Sequence, residues 1–98
     1  MDYKIFEVIQ ELKALIQEHY IEQGDLIDTL DKTRLNGIMI AALMVEISLL
    51  TTWRIPDCEN FWFRPNYSLL RDFDSGKRYE IFLKYKNLCE IAKPYFDN

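Results

Sequence analysis

The chain is poor in the residues that usually build metal sites. Its 98 residues include one histidine, His19, and two cysteines, Cys58 and Cys89, which form no C-x-x-C pair. No Glu-x-x-His motif occurs either, so the spacings of zinc sites and di-iron bundles are both missing. We therefore expect no metal and no cofactor.

An export pattern is also missing, because the first residues show no basic stretch followed by an apolar one. We therefore expect no signal peptide. The sequence is more typical of a cytoplasmic protein, in which cysteines remain free and partly buried.

Catalytic motifs are equally scarce. The chain has no G-x-S-x-G sequence, and Ser75-Gly76-Lys77 resembles only the end of a phosphate loop. A phosphate loop needs glycine at position 71 and serine or threonine at position 78, and arginine stands at both. His19 lies on a helical apolar stripe, which favours a packed histidine over a general base. The sequence thus predicts a protein that is not an enzyme.

Glycine and proline are rare, at three residues each, which argues against a loop-rich or repetitive protein. Hydrophobic residues make up 49% of the chain, enough for a packed core. We therefore expect one globular domain spanning residues 1–98.

Basic residues are fewer than acidic ones, and the excess of acids lies in residues 1–31. Residues 1–31 hold eight acids and two bases, whereas the remainder holds eight acids and ten bases, for a net charge of −4. An acidic chain is a poor candidate for nucleic-acid binding and a better one for a basic protein partner. The basic residues near the C-terminus are interspersed with acids, so they form no continuous phosphate-binding face.

The N-terminal third has the pattern of an amphipathic helix from Tyr3 to about Glu22. Apolar residues recur at steps of three and four from Ile5 to Ile16, Asp2 suits the N-cap, and Gly24 suits the residue that ends a helix. Asp25 is expected to cap the element that follows. Thr33 offers a second start, so residues 25–53 form either one kinked helix or two.

The segment Leu35–Trp53 is apolar on nearly every side, which is typical of a helix at the centre of a bundle. Its length would suit a membrane span, but Glu46 lies inside it, and a charge there is costly. We therefore predict a buried core helix and no membrane span. Glu46 is expected to meet a helix-end amide, Arg34 or Arg54, or to face a partner.

The C-terminal segment from Lys77 to about Lys93 matches helical spacing, and Pro94 limits its end. Alternation between residues 79 and 85 leaves a second interpretation, a hairpin with Tyr67–Phe73. The predicted fold is all-α, a small antiparallel bundle of three to five helices. The alternative is an α+β fold with a C-terminal hairpin.

Two regions are candidate partner-binding surfaces. One is the acidic side of the first helix, and the other is the aromatic segment between two prolines, since aromatic residues and arginine are enriched at interface hot spots. The candidate residues are Glu7, Glu11, Glu18, Glu22, Asp57, Glu59, Trp62, Arg64 and Tyr67.

These surfaces predict a non-enzymatic protein-interaction module. Its sharpest form is an intracellular inhibitor, of the immunity-protein or antitoxin type, that masks a basic partner such as a nuclease. One alternative is an assembly subunit that forms a helical homo-oligomer, such as a homodimer that buries the apolar surface of the second helix. The other is a small nucleic-acid or small-molecule binder.

Overall fold

A computed structural model of the chain describes residues 2–56 and 76–97. In these ranges the structure has three α-helices, α1 (Tyr3–Gln23), α2 (Thr29–Leu50) and α3 (Gly76–Ile91). Two residues of strand β1 (Ile55–Pro56) pair in parallel with β2 (Phe96–Asp97). The all-α prediction is confirmed.

Helix α1 follows its sequence pattern closely. The Asp2 carboxylate accepts hydrogen bonds from the backbone N–H groups of Lys4 and Ile5 at 3.1 and 3.3 Å, so it caps the helix as predicted. Gly24 ends the helix with a φ of +50°, a conformation that side-chain-bearing residues rarely adopt. The apolar stripe is buried at every position except the half-buried Leu15.

The connection to α2 differs from the prediction in two respects. Asp25 lies in a single 3-10 turn, Gly24–Leu26, and the residue that caps α2 is Asp28, whose carboxylate accepts from the Asp31 N–H at 2.8 Å. Thr33 starts no new helix, because its hydroxyl donates to the Thr29 carbonyl within α2. The helix is therefore continuous from residue 29. It ends at Leu50, before Trp53, where the backbone of Thr51 is extended.

Helix α3 decides between the two C-terminal interpretations. Residues 79–85 lie inside this helix, so the hairpin alternative is wrong for them, and Tyr67–Phe73 lies outside the described residues. The helical stripe continues through Leu88 and Cys89, which are both buried, and a strand could not have buried that set on one face.

Helix α1, and not the segment Leu35–Trp53, is the central helix of the described bundle. It packs against both α2 and α3, whereas those two helices touch each other little. Hydrogen bonds from α1 to α2 and ion pairs from α1 to α3 meet the residues of each neighbour in reverse sequence order, so α1 is antiparallel to both. Its Ile9, Leu12 and Ile16 are fully buried, which places the core around α1.

The residues that follow α2 contact the residues that follow α3. Ile55 of β1 is fully buried, and the Arg54 guanidinium donates to the carbonyls of Pro94 and Phe96 at 2.7 and 2.9 Å. Arg54 therefore links the segment after α2 to the C-terminal residues. It does not pair with Glu46, which was one of the predicted contacts of that residue.

Candidate interaction surface

The predicted acidic side of α1 is occupied largely from within the chain. Lys77 of α3 contacts the carboxylates of Glu18 and Glu22 at 3.2 and 2.5 Å, and Lys84 pairs with Glu11. These carboxylate side chains are still 54–59% exposed, so the pairs lie at the surface. The pKa of Lys77 is raised, first by its hydrogen bond with Glu22 and then by the one with Glu18. Much of the negative charge of α1 thus neutralises α3.

The remaining candidate residues fall into two groups. Glu7 is exposed near the start of α1. Asp57, Glu59, Trp62, Arg64 and Tyr67 lie outside the described residues.

A further surface lies on α2, the helix that the homodimer alternative invoked, although none of its residues is among the candidate partner-binding residues. In the second half of this helix, four large aliphatic side chains are 38–57% exposed, namely Ile40, Leu43, Ile47 and Leu50. They are spaced by three, four and three residues, so they form one continuous line along the helix. We call this line of four residues the α2 seam. The exposed residues Thr29, Thr33 and Asn36 continue the same line toward the helix start.

The opposite side of α2 faces the core. Leu35, Ala41, Ala42, Val45 and Ser48 are buried there, and α1 packs against this side. The small Ala41 and Ala42 side chains are fully buried, in keeping with close packing of the neighbouring helix. Helix α2 therefore has two apolar faces, and the described residues cover one of them.

Glu46 is a structural residue at the edge of the α1–α2 contact. Its carboxylate accepts a hydrogen bond from the Gln10 side-chain amide and contacts the Lys13 ammonium at 3.4 Å. Both partners are side chains of α1, so the expectation of a helix-end amide, Arg34 or Arg54 as the partner of Glu46 is wrong. Arg34 contacts Asp31 at 3.5 Å instead.

A polar cavity of about 420 Å³ lies where the end of α1 meets the starts of α2 and α3. His19 lines it, together with Glu22, Asp31, Lys77 and Arg78 among others. The acids and bases pair across the cavity, and Arg78 contacts Asp31 at 2.8 Å. Burial, and next the charge of Arg78, lower the pKa of His19, which favours the neutral imidazole. The cavity thus joins three helix ends through opposite charges and carries no net charge to attract an ion.

No group of three or more His, Cys, Asp or Glu residues within the described ranges is arranged to hold a metal ion. Cys89 is a free thiol buried in the core, as the sequence predicted, and Cys58 lies outside the described residues. Burial raises the pKa of Cys89 to about 11, so this thiol carries little thiolate at neutral pH.

Among the described helices, only α2 is long and apolar enough to cross a bilayer. The core helix of a globular protein passes the same test. Here α1 packs against one side of α2, and the contact between Glu46 and Lys13 lies at its edge.

Comparison of the chain with protein-family models, with curated proteins and with solved structures finds no match.

Proposed function

We propose that this protein is a non-enzymatic protein-interaction module whose main docking surface is the α2 seam. The observation that carries the proposal is the line of four half-exposed aliphatic residues on a helix whose other face is fully used by the core. Scattered single apolar residues are ordinary on a protein surface, but a contiguous apolar line marks an interaction site. An apolar helix of a partner fits such a line through side chains at matching spacing.

The ion pairs between α1 and α3 favour the seam over the acidic side of α1 as the energetic anchor. Exposed carboxylates that already contact lysines gain little from exchanging those contacts for a partner's, because surface ion pairs contribute only about 0–1 kcal/mol. Apolar side chains that leave water on binding contribute roughly 25 cal/mol per Å². In the proposed module, the acidic side therefore steers the approach of a partner while the seam holds it.

An intracellular inhibitor of a basic partner is the sharper form of this function. The exposed Glu7 and the partly exposed Glu11, Glu18 and Glu22 support it, since they leave negative potential along one side of α1. In this form a basic protein would approach α1 and contact α2, its affinity falling as salt rises.

Paired affinity captures from the native host test the module. The bait with Leu43→Lys and Ile47→Lys disrupts the seam, and the bait with Tyr79→Lys and Leu83→Lys is its matched control. The control adds the same two charges at residues of α3 that are 40% and 44% exposed. Circular dichroism first establishes that both variants are folded.

We expect one protein to be recovered in stoichiometric amount by the wild-type and control baits and to be lost from the seam variant. If all three baits recover it equally, the seam is not the docking surface. If it is instead lost when Glu7 and Glu18 are changed to lysine, the acidic side of α1 is the anchor.

A further inference from the structure

We infer that the occupant of the α2 seam is a second copy of this chain, packed as a parallel α2–α2 pair. The inference rests on the proposed function and names the partner of the same surface. The residue types along the seam, the area they expose and the charge of the chain support a second copy as the occupant.

The seam has the composition of a two-stranded coiled coil. Its spacing of three, four and three places Ile40 and Ile47 at one repeating heptad position and Leu43 and Leu50 at the other. A β-branched residue at the first core position with leucine at the second is the combination that favours parallel two-stranded packing. In register, isoleucine then meets isoleucine and leucine meets leucine, so one surface complements itself about a two-fold axis.

The side chains that flank the seam suit close approach of a second helix. Gly37 is small, and Met39 and Met44 are half-buried apolar residues beside the line. Glu46, the acid nearest the seam, is held by Gln10 and Lys13 of its own chain. No carboxylate among these flanking residues is therefore left without a partner when two copies meet.

The area sets the strength of the pair. The four seam residues together leave on the order of 300–400 Å² in water, comparable to the largest apolar patch of a typical monomer. Two copies with their flanking methionines would bury roughly 1,000 Å², the lower bound for a specific interface. Thr33 and Asn36 limit the apolar line at its start. The expected dimer is therefore reversible, with a dissociation constant in the micromolar range.

The charge of the chain makes the second copy distinguishable from a basic partner. Two copies each carry a net charge of −4 and repel one another, so added salt should strengthen a pair held by apolar contact. Salt should instead weaken the docking of a basic protein on the acidic side of α1.

Sedimentation equilibrium of the purified full chain tests the inference, over a range from about 1 to 500 μM and at two salt concentrations. We expect the mass to rise from 11.8 kDa toward twice that value, and the association to tighten with salt. The variant with Leu43→Lys and Ile47→Lys should associate at least about 10-fold more weakly. The variant with Tyr79→Lys and Leu83→Lys should behave as wild type.

A cysteine at a seam position tests the parallel orientation. Leu50→Cys in a Cys58→Ser background should form an intermolecular disulfide readily on mild oxidation, because residue 50 of one copy then lies beside residue 50 of the other. The native Cys89 is buried and serves as the internal control. An antiparallel pair would separate the two introduced thiols, and only a chain with cysteines at both positions 40 and 50 would cross-link efficiently.

Three results would overturn the inference: a monomer at every concentration, a dimer that persists in the seam variant, or seam-dependent binding to phosphatidylcholine vesicles by a chain that stays monomeric. The first result leaves the proposed module standing if the seam variant still loses a captured protein. Equal capture by all three baits would instead show that the seam is not the docking surface of the module.

Discussion

At the residue scale, His19 shows how position changes chemistry. Helical spacing places it on the buried stripe of α1, where it is 6% exposed and lines the polar cavity. Its neighbours there are Asp31 and Glu22, which favour the imidazolium form, and Arg78 and Lys77, which oppose it. Because burial and Arg78 dominate, the folded protein favours the neutral ring and resists protonation.

This gives the first prediction, a loss of stability in mild acid. The pKa of His19 is below 6.5 in the folded state. Well above pH 6.5 the imidazole is therefore neutral in both the folded and the unfolded chain, and it adds no pH dependence to the free energy of unfolding. As pH falls through 6.5, His19 becomes protonated in the unfolded chain while it stays largely neutral in the folded chain. The free energy of unfolding therefore decreases, by at most about 1.4 kcal/mol per pH unit.

Urea unfolding at pH 7.5, 6.5 and 5.5 measures this effect, and His19→Gln should flatten it. The chain has no other histidine, so the comparison isolates one side chain. An equal slope in the wild type and the variant would show that His19 ionises freely in the folded state.

At the element scale, the helices begin and end where short-range chemistry puts them. Asp2 caps α1 and Gly24 ends it, both as the local sequence indicates. The sequence predicts a cap at Asp25, three residues before the observed cap of α2, because Asp25 and Asp28 are equally good caps in isolation. The 3-10 turn at Gly24–Leu26 uses Asp25 in its own first turn and leaves Asp28 to cap α2.

The second prediction separates these two aspartates. Asp28→Ala should lower the free energy of unfolding by about 1 kcal/mol, because the Asp31 N–H loses its acceptor and the helix start loses a negative charge. Asp25→Ala removes the same charge from an exposed turn and should change stability by no more than about 0.5 kcal/mol. Chemical denaturation measures both, and a larger loss for Asp25→Ala would move the cap back to that residue.

At the scale of the whole molecule, the uneven charge along the chain has a structural cause. Residues 1–31 are acidic and α3 is basic, and the fold lays α3 against α1 so that Lys77 and Lys84 meet three glutamates. A surplus that suggests an external partner is thus partly consumed by a neighbouring helix. The same packing makes α1 the centre of the described bundle, and the other described elements leave one face of α2 uncovered.

The third prediction follows from the central position of α1. Leu12→Ala should lower the free energy of unfolding by about 2–5 kcal/mol, because Leu12 is fully buried and its removal leaves a cavity. Leu43→Ala removes the same atoms from a residue that is 38% exposed and should cost about 1 kcal/mol or less. Thermal or urea unfolding at about 1 μM, below the expected dimer range, compares them, and similar losses would contradict the central placement of α1.

The sequence by itself determined the features that depend on neighbours within one helical turn. The apolar stripe of α1, its caps and the helical periodicity of α3 are local, because side chains three and four residues apart share a face. The burial of His19 and of Cys89 followed from the same spacing.

Only the tertiary structure decided which helix is central and which face of α2 remains exposed. Helix α2 is apolar on almost all sides, so its periodicity marks no single buried face, and the packing of α1 selects one. The α2 seam became recognisable only once its opposite face was occupied. The sequence could not predict the partners of Glu46 and of the α1 glutamates either. Ion pairs between residues 33 to 73 positions apart depend on how the helices pack against one another.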